Sequence, residues 1–220
     1  MKKRRIALFI LLILTVGFLY GQEIITAGRY MDLVGERYSS IRDFEATLNI
    51  RSGSSNMVGT VSHLSPSLMR VDFTQPANQV IVFNGEMLTV YLPEFRVTLT
   101  QAINRSRAPT GGLTLLRRNY TPSYVTGPDP VPLDAGSSER VIKLRLRRNT
   151  VAEGFTEIIL SINPETRLIR RMEGRTIADT EVRFDFSNIR INQGIPSARF
   201  IYDAPPTANV YHNFLFRDPN

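Results

Sequence analysis

Residue types that carry out chemistry are scarce in this sequence. The chain has 220 residues, no cysteine and two histidines, His63 and His212, which are far apart. Without cysteine there is no thiol nucleophile, iron–sulfur cluster, zinc–thiolate site or disulfide. The sequence contains neither a Gly-rich phosphate-binding loop nor a metal-binding cluster of His, Asp and Glu. It therefore predicts no catalytic residue, no metal site and no cofactor, and we interpret His63 as an ordinary core or surface histidine.

The first 21 residues have the layout of an export signal. Four basic residues at 2–5 precede an uninterrupted apolar stretch at 6–20, which is followed by Gly21. Because this stretch is shorter than the ~20 residues that span a bilayer, we expect cleavage after Gly21 and treat a retained anchor as the alternative. Loss of residues 1–21 removes four cations, so the net charge falls from +7 to +3. The remaining chain is only mildly basic, and nucleic acid is not an expected partner.

The pattern of residues 22–220 predicts one domain that starts with a helix and continues as a series of strands. Apolar residues recur every three or four positions between 24 and 41, which indicates one amphipathic helix. From Asp43 the period changes to two, and Pro, Gly and Asn turns separate the alternating segments. The strands are predicted at 43–51, 57–64, 68–75, 79–84, 87–92, 95–101, 140–148, 155–162, 167–173, 180–186 and 198–202.

About eleven antiparallel strands exceed what an open, twisted sheet holds without curling. We therefore predict a mainly β (α+β) fold, an incomplete antiparallel β-barrel closed by the N-terminal helix and a short lid helix at 113–118. Because two helices do not cover so wide an apolar surface, an apolar cavity should remain between helices and sheet. Its predicted lining is Leu48, Ile50, Val71, Phe73, Val90, Val97, Leu99, Leu115, Leu116, Leu144, Leu160 and Phe184.

A series of short motifs follows the predicted N-terminal helix in a set order. They are Phe44-x-Ala46, Gly59-Thr60-Val61, PSLMRVDF at 66–73, QVIVFNG at 79–85, LTVYLP at 88–93, and Ile195-Pro196 followed by Pro205-Pro206. Together with the export signal, this series resembles the periplasmic outer-membrane lipoprotein carriers, the LolA-like family, over nearly the whole of residues 22–220.

The resemblance implies a periplasmic protein that is not an enzyme and that binds the acyl chains of lipoproteins. Such a carrier receives them from an inner-membrane ATP-driven release complex and passes them to an outer-membrane acceptor or membrane surface, with no cofactor of its own. We expect a monomer that binds no nucleic acid. The alternative is an envelope sensor or adaptor, or an outer-membrane-side acceptor, that uses the same half-barrel to bind lipid or peptide.

Arginines on the polar faces of the later strands form a candidate docking surface. Arg145, Arg147, Arg170 and Arg171 alternate with apolar residues, as solvent-facing strand residues do. An acidic protein patch or an anionic membrane surface is the partner that this charge would attract.

Overall fold

The computed structural model describes residues 25–103, 112–149 and 154–215. The predicted signal peptide, residues 1–21, lies outside the described residues. Helix α1 spans Ala27–Ser39 and helix α2 spans Gly112–Asn119. The strands are β1 Asp43–Ser52, β2 Ser55–Leu64, β3 Leu68–Gln75, β4 Val80–Phe83, β5 Met87–Leu92, β6 Val97–Ala102, β7 Tyr120–Tyr124, β8 Val131–Pro132, β9 Arg140–Arg148, β10 Phe155–Ile162, β11 Ile169–Thr176, β12 Glu181–Ile191 and β13 Asn209–His212. Pro93–Phe95 and Ser197–Phe200 form 3-10 turns.

The described strands form one open sheet. Their order is β13-β6-β5-β4-β3-β2-β1-β12-β11-β10-β9-β7, and β8 pairs with β9. Among these strands every pairing is antiparallel except that of β13 with β6. Two meanders, β1–β6 and β9–β12, are joined where β1 pairs with β12. This architecture confirms the predicted incomplete β-barrel, with thirteen described strands rather than about eleven.

One predicted strand is wrong and three observed strands were not predicted. Residues 198–202 begin in the turn Ser197–Phe200, whose backbone bonds are local, from Arg199 N to Pro196 O and from Ile201 N to Ala198 O. The turn packs on β3, and Phe200 is fully buried. Strands β7, β8 and β13 lie in segments where the sequence lacks a clear apolar alternation.

Both helices pack on one side of the sheet, which we call the inner face. Helix α1 begins after Thr26, whose hydroxyl accepts a hydrogen bond of 3.2 Å from Arg29 N. Its apolar stripe, which includes Met31 and Val34, is buried in one cluster with β9 and β10. Directly paired residues share a face, and a row of them crosses six strands. The row is Leu144, Leu160, Met172, Phe184, Ile50 and Met57.

The opposite side, the outer face, carries the segment 196–202. Arg70 forms a bidentate ion pair with Asp72 and donates to the carbonyl oxygens of Arg199 and Ile201 at 3.1 and 3.2 Å. Burial alone would raise the pKa of Asp72, but hydrogen bonds from Arg70 and Arg199 outweigh it and lower that pKa. These contacts hold the segment against β3.

Candidate functional site: an apolar cavity

A cavity of about 140 Å³ lies on the inner face. It is enclosed by the C-terminal end of α1, by α2, and by β1, β10, β11 and β12. Its lining is Tyr38, Ile41, Phe44, Ala46, Leu116, Leu160, Leu168, Ile169, Met172, Phe186, Ile189 and Ile191. Apart from the Tyr38 hydroxyl, the side chains in this lining are apolar. Such a surface binds hydrocarbon by exclusion of water, without directional bonds.

A β-bulge in β12 helps to create this space. Glu45 pairs with Arg190 and Thr47 with Ser187, so β12 has one residue more than β1 across this stretch. Asn188 takes up the extra length at a φ of 51°. As a result Phe186 and Ile189 both line the cavity, although they are three residues apart. Opposite the bulge stands Ala46, which is 2% exposed and too small to fill the gap.

Tyr38 brings a polar group to the cavity lining. Its hydroxyl oxygen accepts a hydrogen bond of 3.0 Å from Ile169 N. Burial raises the pKa of Tyr38 to about 12, although the bond from Ile169 and the charge of Arg37 both act to lower it. Tyr38 therefore stays protonated at neutral pH and keeps a hydroxyl proton to donate.

The residues predicted to line the cavity fall into four groups. Leu116 and Leu160 line it. Leu144 is fully buried beneath α1. A neighbouring inner-face cluster contains Leu48, Ile50, Val71, Phe73 and Phe184. Val90, Val97 and Leu99 are half-buried on β5 and β6, and the side chain of Leu115 is outside the described part of the chain.

Ten lining residues were missed by sequence reasoning. They are Tyr38, Ile41, Phe44, Ala46, Leu168, Ile169, Met172, Phe186, Ile189 and Ile191. The sequence pattern could have indicated Phe186, since it shares the apolar alternation of β12 with Phe184. No sequence pattern indicated Ile189, because the bulge that turns it inward interrupts that alternation.

The four candidate docking arginines differ in exposure. Arg145 and Arg147 lie 3.5 and 3.6 Å from the carboxylate of Glu157, and the Arg147 side chain is 72% exposed. Arg170 pairs with Glu139. The Arg171 side chain is only 5% exposed.

Arg171 is held by two carboxylates on the outer face. It bonds Asp134 at 2.8 Å and Asp185 at 2.5 Å. The hydrogen bond from Arg171 lowers the pKa of Asp134 to about 2, against the opposing effect of burial. Burial acts to lower the pKa of Arg171, but the hydrogen bonds that it donates to both carboxylates raise that pKa overall. The charge of Arg171 is thus balanced by two carboxylates of the protein itself.

His63 lies on the inner face opposite Phe44, with their ring centroids 5.2 Å apart. Burial lowers the pKa of His63, partly offset by a hydrogen bond with the backbone of Leu68. Across residues 25–103, 112–149 and 154–215, no three His, Cys, Asp or Glu side chains are grouped to hold a metal ion. Within the same ranges no helix has the length and apolar character needed to cross a membrane.

An open antiparallel sheet with two helices on its inner face and an apolar cavity between them defines a half-barrel fold. The family model described as outer membrane lipoprotein carrier protein LolA matches residues 51–203, and the chain belongs to this family. No curated protein matches the sequence.

Solved structures share the fold at low sequence identity. An uncharacterized conserved protein from Thermus thermophilus is 15% identical, with 82% of this chain and 98% of that chain covered and a TM-score of 0.56. MucB of Pseudomonas aeruginosa, solved in complex with MucA, is 14% identical over 84% of this chain and 63% of its own, with a TM-score of 0.53. The lipoprotein LppX of Mycobacterium tuberculosis is 9% identical over 78% and 97%, with a TM-score of 0.49. At these identities the likeness concerns the fold alone.

Proposed function

We propose that this protein is a periplasmic carrier that binds lipoprotein acyl chains in the inner-face cavity and moves them from the inner to the outer membrane. The observation that carries the proposal is the apolar lining of that cavity in a member of the LolA family. Each methylene of an acyl chain left in water costs about 0.8 kcal/mol, so its passage through an aqueous compartment requires such an enclosure.

The cavity must enlarge to hold a whole acyl chain. Its volume of about 140 Å³ is close to that of an engineered cavity that accepts benzene, whereas sites for larger ligands measure about 300–1,000 Å³. Its neighbours on the inner face, Leu48, Ile50 and Phe184, are the residues onto which we expect it to extend. Beyond them, the other residues that the sequence predicted to line the cavity lie on β5 and β6.

Helix α2 is the element best suited to move. It has eight residues, too few for a stable isolated helix, and therefore depends on its contacts. Leu113 and Leu116 pack against the α1 cluster, and Arg117 forms an exposed ion pair of 2.6 Å with Asp32. An exposed ion pair contributes little stability, so displacement of α2 costs mainly the apolar contacts that a ligand replaces.

The proposed cycle requires no energy source in the carrier. Cargo arrives from an inner-membrane ATP-driven release complex, and transfer follows when an outer-membrane acceptor offers a more favourable site. The predicted export signal at 1–21 and the family membership support this location. Binding by apolar area without directional bonds along the chain favours release, because contacts are exchanged gradually.

Arg145 and Arg147 are proposed to guide docking on an acidic partner surface. They share one carboxylate, Glu157, which leaves positive charge at an exposed strand position. Arg170 and Arg171 support this side of the sheet through their internal ion pairs. Reversal of charge at Arg147 should slow association and weaken its dependence on salt. An unchanged association rate would assign the arginines to solubility.

Direct binding of an acyl probe tests the central proposal. Leu116→Asp places a charge in the cavity lining and should weaken binding of a fluorescent fatty-acyl probe and of a synthetic lipopeptide by at least tenfold. Leu116→Ala should have a smaller effect, and Arg118→Ala, at an exposed position of α2, should have none. A purified protein that binds neither ligand would refute the carrier function.

The alternative function is an envelope adaptor that binds another protein. MucB, which has a similar fold, was solved in complex with MucA. Mass spectrometry of the protein isolated from its own cells distinguishes the two proposals. Lipoproteins and their acyl groups should co-purify with a carrier, whereas one signalling protein in stoichiometric amount would favour the adaptor.

A further inference from the structure

The hydroxyl of Tyr38 has hydrogen-bonding capacity that the described protein does not use. A phenol oxygen accepts a hydrogen bond and donates one. The oxygen of Tyr38 accepts the bond from Ile169 N, but among the described residues its own proton has no acceptor. The other side chains of the cavity lining are apolar, so none of them offers an acceptor for that proton.

An unpaired donor in an apolar cavity has a cost that a ligand can remove. Leaving such a group without an acceptor is unfavourable, and a pure hydrocarbon ligand would exclude water without replacing the missing acceptor. A ligand that carries a carbonyl oxygen beside its hydrocarbon chain would supply the acceptor. Esters and amides of fatty acids have this chemistry.

We infer that Tyr38 is a specificity-determining residue that donates a hydrogen bond to the carbonyl oxygen of an acyl ester or acyl amide. The inference rests on the proposed function and adds the polar part of the ligand to it. The carbonyl group is held beside the start of β11, and the hydrocarbon chain occupies the apolar remainder of the cavity. A volume of about 140 Å³ suits the carbonyl and the first few methylenes of the chain.

The local structure holds Tyr38 in place for this role. The bond from Ile169 N fixes the oxygen on the β11 side. One residue earlier, Arg37 donates from Nε to the carbonyl oxygen of Thr166 at 3.3 Å. The end of α1 is thereby attached once to the β10–β11 connection and once to the start of β11, so the hydroxyl is positioned before the ligand arrives.

A neutral carbonyl fits this site better than a carboxylate. The lining around the hydroxyl is apolar, and burial of a carboxylate there carries a large desolvation cost. The nearby cation, Arg37, is already bonded to Thr166 and Ser40. Ester and amide share the acceptor chemistry, and separate probes distinguish them.

The test compares matched ligands on wild-type protein and on Tyr38→Phe. The probes are methyl decanoate, N-methyl decanamide, decanoate and undecane, each measured by displacement of a fluorescent fatty-acyl dye. Tyr38→Phe should weaken binding of the ester or the amide by about 2- to 10-fold, the usual contribution of one hydrogen bond. Binding of undecane should change by less than twofold.

Tyr124→Phe is the matched control. Its hydroxyl also makes one hydrogen bond, to Ile25 O at 2.8 Å, but Tyr124 is not part of the cavity lining. Its removal should leave the affinity of every probe unchanged. Thermal unfolding of both variants checks that they remain folded after each loses a hydrogen bond.

A spectroscopic measurement on the wild-type protein gives a second readout. The infrared band of a ¹³C-labelled ester carbonyl should shift to lower frequency on binding, and the shift should be absent in Tyr38→Phe. An unshifted wild-type band, an equal loss of ester and undecane binding, or sensitivity confined to decanoate would overturn the inference. Failure of the wild-type protein to bind any probe would overturn the proposed function as well, which separates the two results.

Discussion

Ala46→Leu should stabilise the protein and at the same time block its cavity. Ala46 is 2% exposed and lies opposite the bulge of β12, where its methyl group lines the unfilled volume of about 140 Å³. Leucine adds three carbon atoms in that direction. Filling an existing space requires little rearrangement, whereas the same addition to a packed site forces neighbours apart.

The size of the effect follows from the buried carbon atoms. At about 0.8 kcal/mol for each, three carbons contribute at most ~2.4 kcal/mol, and partial misfit reduces this to about 1 kcal/mol. For a chain of this length, 1 kcal/mol raises Tm by roughly 2–4 °C. A ligand that loses contact for two methylenes loses about 1.6 kcal/mol, which lowers its affinity at least tenfold.

Two assays and one control decide the outcome. Urea and thermal unfolding measure stability, and displacement of a fluorescent acyl dye measures binding. Val61→Leu is the control, because Val61 pairs directly with Ala46, is 5% exposed, and is not part of the cavity lining. Overpacking there should lower the free energy of unfolding by about 1–3 kcal/mol.

The opposite signs of the two substitutions make the reasoning refutable. If Ala46→Leu destabilises the protein as much as Val61→Leu does, the space beside Ala46 is not available to a side chain or a ligand. If stability rises while acyl binding is undiminished, the ligand binds elsewhere and the proposed site is wrong.

Three further predictions concern the frame around the cavity. Arg171→Met should lower the free energy of unfolding in urea by about 1–3 kcal/mol because Asp134 and Asp185 lose the hydrogen bonds that this buried guanidinium donates, whereas Arg147→Met, at a 72% exposed side chain, should change it by less than about 0.5 kcal/mol; equal effects would contradict the assigned burial. The folded-state pKa of Asp134 is depressed to about 2, so its contribution to stability is complete above its unfolded pKa of about 4 and is lost as pH falls toward 2. Asp134→Asn should therefore make the urea midpoint of unfolding depend less on pH over that interval. An unaltered pH profile would show that the ion pair does not contribute to stability. Gly59→Ala should destabilise by more than about 2 kcal/mol, since its Cβ would lie 2.5 Å from Asp72 O, while Gly35→Ala in α1, with its nearest contact at 4.0 Å, should stabilise by up to about 1 kcal/mol in the same assay.

Regular strands were predictable because their side chains alternate strongly. The predicted bounds of β9 and β10, 140–148 and 155–162, agree with the structure to the residue. In β9 each apolar residue on the inner face is followed by a basic one on the outer face. Such a pattern specifies both the extent of a strand and the face that it buries.

The cavity was less predictable because it depends on interruptions of that pattern. The predicted strand at 180–186 ends where the alternation fails, yet β12 continues to Ile191. The positive φ of Asn188 restores the inward direction at Ile189, and no local period indicates this. Tyr38 lies within the apolar helix stripe at 24–41, but the hydrogen bond from Ile169 N joins residues 131 positions apart, and no local pattern indicates it.

The ends of the sheet were missed for a different reason. Strand β13 is exposed along its whole length and pairs with β6 in parallel, so burial imposes no alternation on it. Strand β7 contains Pro122 and lies at the other edge, where a missing backbone N–H is tolerated. Edge strands of this kind follow from backbone pairing, which side-chain patterns do not reveal.

The junction of β1 with β12 has a consequence for how the chain reaches its native state. Each meander is built from hairpins between consecutive strands and can form from local contacts. The two halves become one sheet only when β1 pairs with β12, for example Phe44 with Ile191. Closing so long a loop is entropically unfavourable and slow. Until it closes, β1 and β12 both present unpaired backbone and apolar side chains, so the interval between synthesis of β1 and completion of β12 is when self-association is most favourable.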